Sequence, residues 1–211
     1  MEWRNEEFDL GGVNHLALVC SDMKRSVEFY TQVLGMRLIK TLDLPNGQGQ
    51  HFFFDMGGGN ALAFFWFPDA PECQPGISNP RSNIDPAIAR SEPTEILSSH
   101  GSMNHFAFDV APEKIAEYRD KLIAKGLEVS TFMHHDDSPA GLSETVTPSV
   151  WISSIYFRDP NGIVLEFAAI QREFNPAFGD RKDHLPATPA DRERYHRIGA
   201  EMRSRMMALH A

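Results

Sequence analysis

Hydrophobic positions along the chain fall into short runs, and two of these runs are alike. Gly12-Val13-Asn14-His15-Leu16-Ala17-Leu18-Val19 resembles Ser102-Met103-Asn104-His105-Phe106-Ala107-Phe108-Asp109. Each reads as a largely apolar strand with Asn-His near its start, and the offset of about 90 residues marks an internal repeat. After the first run, Asp22 is placed to cap a helix carrying Val27, Tyr30 and Leu34 on one face and ending at Gly35. After the second, Pro112 suits a first helical position, Ile115, Tyr118 and Leu122 form the stripe, and Gly126 ends it. Strands are then expected over 36–42, 51–56 and 61–67 in the first unit and over 127–132, 150–158 and 163–170 in the second. Asn46-Gly47, Gly57-Gly58-Gly59 and Asp159-Pro160-Asn161-Gly162 supply the turns.

Each unit therefore reads as βαβββ, with modules over 10–67 and 102–171. Residues 1–9 form an N-terminal arm. The proline-rich stretch 68–101 is a long connection with one short helix near 95–99, and connections this long are uncommon unless functional or mobile. Beyond Gln171 the pattern ends: 172–211 reads as an extended segment and then a helix capped by Thr188, running to about Leu209. The helix carries five arginines, Arg192, Arg194, Arg197, Arg203 and Arg205. It reads first as a solvated tail, and second as an arm covering a dimer partner.

Composition narrows the function classes. The chain has 211 residues, 42% hydrophobic and 23% charged, an ordinary globular balance. No run of 18 apolar residues is present, so a membrane span is not expected. A formal charge of −9 argues against nucleic-acid binding, which needs a basic surface to release counterions. The amino terminus lacks a signal-peptide pattern, and Cys20 and Cys73 are expected as free thiols in a cytoplasmic protein.

The chemistry lies on the strand faces. Side chains alternate along a strand, so His15 shares a face with Val13, Ala17 and Val19, and His105 with Met103, Ala107 and Asp109. Leu16, Leu18, Phe106 and Phe108 face the helices. On the last strand Glu166 shares a face with Val164 and Ala168, where an unpartnered carboxylate is costly. If the two sheets close on each other, His15, His105 and Glu166 meet as a two-histidine, one-carboxylate set. Such a set suits Fe(II) first, with Mn(II), Zn(II), Ni(II) or Co(II) compatible. Any one of these residues alone is more often structural; the weight comes from matched positions in a repeat.

These motifs, together with Asp159-Pro160-Asn161-Gly162-Ile163-Val164-Leu165-Glu166-Phe167, resemble the vicinal oxygen chelate superfamily over residues 10–171. Its members include glyoxalase I, methylmalonyl-CoA epimerase, fosfomycin and bleomycin resistance proteins and type I extradiol dioxygenases. The resemblance implies an α+β fold in which paired βαβββ modules form a curved, partly closed mixed sheet around a metal cleft, plus a C-terminal helical tail. It also implies His15, His105 and Glu166 as ligands, and puts Ala63 where glyoxalase I and the epimerases keep a fourth ligand.

Three ligands suit an extradiol dioxygenase, which takes a catechol-like vicinal oxygen substrate and O2. Most of that signature is present, with Tyr156 ten residues before Glu166 placed to hydrogen-bond the substrate. Two positions depart from it. Val146-Thr147-Pro148-Ser149 lacks the expected histidine, and Asn60 stands where the family keeps an acid/base histidine, becoming a substrate contact instead. His51, two residues before Phe53, is then the expected acid/base, and His134 and His135 are expected in a loop closing over the site. Phe53, Phe65 and Trp151 would line an apolar pocket suited to an aromatic small molecule. Two rivals stand beside the dioxygenase. One is a glyoxalase-like isomerase, epimerase or lyase with the metal as Lewis acid, and the other is a resistance-type protein that binds without chemistry. Relatives are often dimers, so a homodimer is compatible.

Overall fold

A computed structural model describes residues 7, 10–73, 99–138, 140–174 and 185–209. The chain divides into two units, residues 1–173 and 174–211. The short helix expected at 95–99 falls outside the described residues apart from Ser99, as does most of the N-terminal arm.

In the first module β1 (His15–Val19) leads into α1 (Met23–Glu28), which continues as one π-helical stretch, Phe29–Val33. Asp22 caps α1 as expected, its carboxylate accepting the Arg25 N–H at 2.9 Å. Gly35 ends the helical segment at φ 77°, a left-handed conformation that favours glycine. Strands β2 (Arg37–Asp43), β3 (Gln50–Gly57) and β4 (Asn60–Trp66) complete a sheet of order β1-β4-β3-β2.

The second module repeats the plan with β5 (Phe106–Asp109), α2 (Ile115–Ala124), β6 (Met133–His135), β7 (Leu142–Ser143), β8 (Ile152–Arg158) and β9 (Val164–Ile170), in the order β5-β9-β8-β6-β7. In both sheets the first strand pairs parallel to the last and the remaining pairs are antiparallel.

Two local expectations change. Pro112 lies in a turn, and α2 begins after Lys114. The strand expected at 127–132 is displaced to Met133–His135. Leu127, Val129 and Phe132 do pack against the core, but the Ser130 hydroxyl accepts the Tyr156 N–H at 2.9 Å and so takes a donor that ladder pairing would use.

The apolar inner faces of both sheets share one core. Phe54, Leu62 and Phe64 of the first sheet cluster with Ile155, Phe157 and Leu165 of the second, with Phe29 and Tyr30 and with Ile115 and Leu122 of α2. Fully burying each large apolar side chain contributes about 1.5–3 kcal/mol, which makes this shared core the main force joining the modules. A polar joint sits beside it. The Tyr30 hydroxyl donates to Asp159 Oδ2 at 3.2 Å, Asn161 Nδ2 donates to the same oxygen at 3.0 Å, and Asn161 Oδ1 accepts the Ser21 N–H at 2.9 Å.

In the second unit Thr188 and Asp191 form a capping box ahead of α3 (Arg192–Leu209), the helix expected from the sequence. Among the described residues no helix is long and apolar enough to cross a membrane.

Candidate metal centre

With both inner faces committed to the core, the faces bearing His15 and His105 point away from it. On the second sheet, β8 and β9 pair Tyr156 directly with Glu166, and β5 lies on the other side of β9. His105, just before β5, brings Nε2 to 2.9 Å from Glu166 Oε2. Glu166 is only 4% exposed, so this contact answers the cost of burying a carboxylate. Burial pushes the Glu166 carboxyl up, but hydrogen bonding from His105, Ser154 and Tyr156 outweighs it and holds the group below the ordinary glutamate range. Burial and the neighbouring Glu166 charge push the Tyr156 phenol far above its ordinary range, so it stays protonated and can donate. The His105 ring stands edge-on to Tyr156, centroids 5.6 Å apart. Ser154 lies on the same strand face. Its buried hydroxyl sits beside the carboxylate and helps hold it charged.

The equivalent positions of the first sheet are Phe53 and Ala63, paired in the same register as Tyr156 and Glu166. His15 is exposed and meets Phe53 edge-on at 5.7 Å. His51 shares that face. It stacks on Phe65 at 3.6 Å, and its Nδ1 donates to the Phe64 carbonyl at 3.1 Å, which leaves Nε2 as a base. Both ligand-type histidines are backed alike: Nδ1 of His15 contacts Asn14 Oδ1 at 2.8 Å, and Nδ1 of His105 contacts Asn104 Oδ1 at 2.7 Å.

A single chain thus brings together two of the three expected ligands. His105 and Glu166 meet, whereas His15 stands on the other sheet, and among the described residues no three His, Cys, Asp or Glu side chains converge as a metal site. This corrects the expectation that the two sheets of one chain close on each other. The larger apolar faces won the contact, and they lie opposite the histidines.

Three further expectations are revised. His134 and His135 lie on strand β6, so alternation sends them to opposite sides. His135 shares the Glu166 face, half-buried 5.9 Å from the Trp151 ring; burial pulls its imidazole below the ordinary range and the Glu166 charge partly offsets this. His134 turns the other way, bonding Ser153 Oγ at 2.8 Å and stacking on Phe132, which removes it from the site. Asn60 donates its amide to the carbonyls of Gly57 and Gly58, at 3.3 and 3.2 Å, and so braces the β3–β4 turn.

Sequence reasoning had not assigned Asn14, Asn104 or Ser154 to this centre. The recurrence of Asn-His in both repeats was the available signal for the first two; nothing in the sequence marks Ser154.

Residues 12–167 match the family model of the Glyoxalase/Bleomycin resistance protein/Dioxygenase superfamily. The chain is 42% identical over 57 residues to the lactoylglutathione lyase of Pseudomonas aeruginosa, covering 27% of this chain and 30% of that protein. It is 31% identical over 65 residues to the uncharacterized protein YwkD of Bacillus subtilis, covering 31% of this chain and 51% of that one. The matches therefore span about a third to a half of the length of these curated relatives. Among solved structures, a glyoxylase/bleomycin resistance protein/dioxygenase domain from Frankia sp. EAN1pec superposes with a TM-score of 0.54 at 14% identity, covering 77% of this chain and all (100%) of that one, a likeness of fold. Two βαβββ units, a pseudo-equivalent pair of histidines and a family match across both modules make this chain a member of the glyoxalase/bleomycin resistance protein/dioxygenase superfamily.

Proposed function

We propose that the protein is a metal-dependent enzyme acting on a small substrate through two vicinal oxygens, with each site made by His105 and Glu166 of one copy and His15 of a second copy. The observation that carries this reading is the 2.9 Å approach of His105 Nε2 to the buried Glu166 carboxylate, with the matching histidine exposed on the outer face of the other sheet. Apolar side chains flank both half-sites on those faces: Val13 is 59%, Val19 49% and Ile170 42% exposed, as expected of surfaces a partner covers. Two imidazole nitrogens and one carboxylate fit a divalent cation, Fe(II) first, with Mn(II), Zn(II), Ni(II) or Co(II) compatible. When bound, the metal would supply Lewis acidity and open coordination positions.

The chain's own groups supply the rest. Tyr156, protonated at physiological pH, donates a hydrogen bond to a substrate oxygen. His51 Nε2 accepts the substrate hydroxyl proton, and His135 is the second proton carrier. Phe53, Phe65 and Trp151 exclude water and favour an aromatic substrate. Ala63 offers no fourth ligand, which supports extradiol ring cleavage of a catechol-like compound with O2 as the first reading. The local 42% identity to a lactoylglutathione lyase supports glyoxalase-like lyase or isomerase chemistry as the second. The free cysteines and acidic charge support a cytoplasmic setting.

Mixing variants tests the shared site. His15→Ala and Glu166→Gln proteins each fail to retain metal alone, but mixed subunits recover about a quarter of wild-type occupancy, because half the dimers are mixed and each has one intact site. Recovery of none would mean that the ligands are not divided between two copies and would overturn the shared site. Oxygen uptake by Fe(II)-loaded protein across a catechol panel supports ring cleavage; turnover of S-lactoylglutathione without oxygen uptake moves the assignment to the lyase.

A further inference from the structure

We propose that Asn14 and Asn104 are positioning residues that accept the Nδ1–H of His15 and His105, so that Nε2 is the nitrogen each ring turns toward the metal site. The inference rests on the metal-site reading above and adds a role for two residues outside it. An amide carbonyl oxygen accepts, so the 2.8 and 2.7 Å contacts are donated by Nδ1–H of each imidazole, and at His105 Nε2 also donates to Glu166 Oε2 at 2.9 Å until a cation takes that place. Neutral imidazole in water prefers the other tautomer, with the proton on Nε2. Without Asn14, His15 would present a proton where a cation needs a lone pair. Second-sphere partners of this kind fix both ring orientation and tautomer of metal-binding histidines.

Three observations single the pair out. First, neighbours inside a strand point to opposite faces, so an adjacent side chain reaches the ring only where the strand has not yet begun. Asn14 precedes the first residue of β1 and Asn104 lies two residues before β5. Second, the Asn14 backbone carbonyl is held by the Ala61 N–H at 3.0 Å, so its side chain starts from a fixed point. Third, the contact recurs in two unlike environments. His105 faces a buried carboxylate and His15 faces Phe53, yet each keeps the same asparagine contact. Local packing differs between the halves; the shared feature is the Nδ1 contact to asparagine.

The test reads the tautomer directly in metal-free protein. Long-range 1H–15N NMR of His15 at pH 8.5, where an ordinary imidazole is neutral, is expected to show Nδ1–H in the wild type and mainly Nε2–H in Asn14→Leu. Zn(II) affinity, measured by chelator competition, is expected to weaken about 10- to 100-fold in Asn14→Leu and in Asn104→Leu. Asn14→Asp, which can still accept from Nδ1, is expected to keep the wild-type tautomer and affinity. Both asparagines are exposed, so circular dichroism should be unchanged. A wild-type His15 carrying its proton on Nε2, or leucine variants with unaltered affinity, would overturn the positioning role. Wild-type protein that shows Nδ1–H but takes up no cation leaves the asparagine contact standing and removes the metal reading instead.

Discussion

The two βαβββ units place equivalent backbone positions in equivalent register and load them differently. Where the second unit pairs Tyr156 with Glu166, the first pairs Phe53 with Ala63. The second unit therefore carries a charged, hydrogen-bonded half-site, and the first carries one exposed imidazole against an aromatic wall of Phe53, Phe65 and His51. Burying a carboxylate is costly without a partner. Glu166 meets that cost through His105 and Tyr156, and the first unit avoids it with a methyl group. Duplication of a fold repeats places for side chains; which places hold charge is decided position by position.

The largest effect should come from removing the charge that distinguishes the halves. Glu166→Gln is expected to lower metal retention by more than about 100-fold, a greater loss than removal of second-sphere partners produces. His15→Ala should match it in metal content while leaving the melting temperature nearly unchanged, since His15 is exposed. Elemental analysis after desalting, beside a thermal melt, checks both. If His15→Ala retains metal, the first unit contributes no ligand and the halves differ more deeply than proposed.

Next comes proton transfer, which the reading assigns chiefly to the first unit. His51→Gln is expected to reduce turnover about 100-fold with metal content intact, and His135→Gln by less than about 10-fold. Steady-state kinetics on the identified substrate distinguishes them, and a reversed order would move the base to the second unit.

Much of this arrangement was legible in the chain. The Asn-His repeat, the caps at Asp22 and Thr188 and the strand alternation placed both modules and the faces of His15, His105 and Glu166. Alternation says which face a residue occupies, however, and not what that face meets. Convergence of all three ligands within one chain depends instead on sheet packing, and the joint core of Phe54, Phe64, Ile155 and Phe157 turns the two sheets the other way. In a loop, His134 and His135 would be equivalent. Once Ser130 interrupts pairing and the strand shifts to Met133–His135, alternation separates them. Asn60 illustrates the remaining limit: two positive-φ glycines beside it, Gly58 and Gly59, make a turn whose carbonyl its amide can reach, and only coordinates show which partner it takes.

Making the halves alike is the third way to press the comparison. Ala63 is fully buried opposite Phe53, so Ala63→Glu places an unpaired carboxylate in an apolar setting. A loss of about 3 kcal/mol, or about 10 °C in melting temperature, is expected without metal. Added divalent cation should restore more stability to this variant than to the wild type, because its new carboxylate stands where a fourth ligand would. An unchanged melting temperature would mean that the Ala63 position is wet and that its lack of charge is not set by burial.

The smallest effect concerns the joint, which is also one-sided. The second unit's turn carries Asp159, bound by Tyr30 of the first unit, whereas the matching turn of the first is Gly57-Gly58-Gly59. Burial pushes the Asp159 carboxyl above its ordinary range, against the pull of Asn161, the Ile163 N–H and Tyr30. A raised acid binds its proton more tightly in the folded state, so its stabilising contribution is complete below the ordinary aspartate value of about 3.9 and is lost as pH rises through the folded value. Asp159→Asn is therefore expected to cost about 1 kcal/mol at pH 7, from hydrogen bonds that an amide satisfies poorly, and more near pH 4, where the wild type gains from protonation. Tyr30→Phe removes a donor that stabilises the charged form. It should raise the folded value further and steepen the wild-type trend while costing about 1 kcal/mol or less. Thermal melts of the three proteins from pH 7 to pH 4 measure both slopes. A gap between wild type and Asp159→Asn that narrows on acidification would show that Tyr30 and Asn161 hold the carboxylate charged, and the joint would then be an anionic clamp rather than a buried acid.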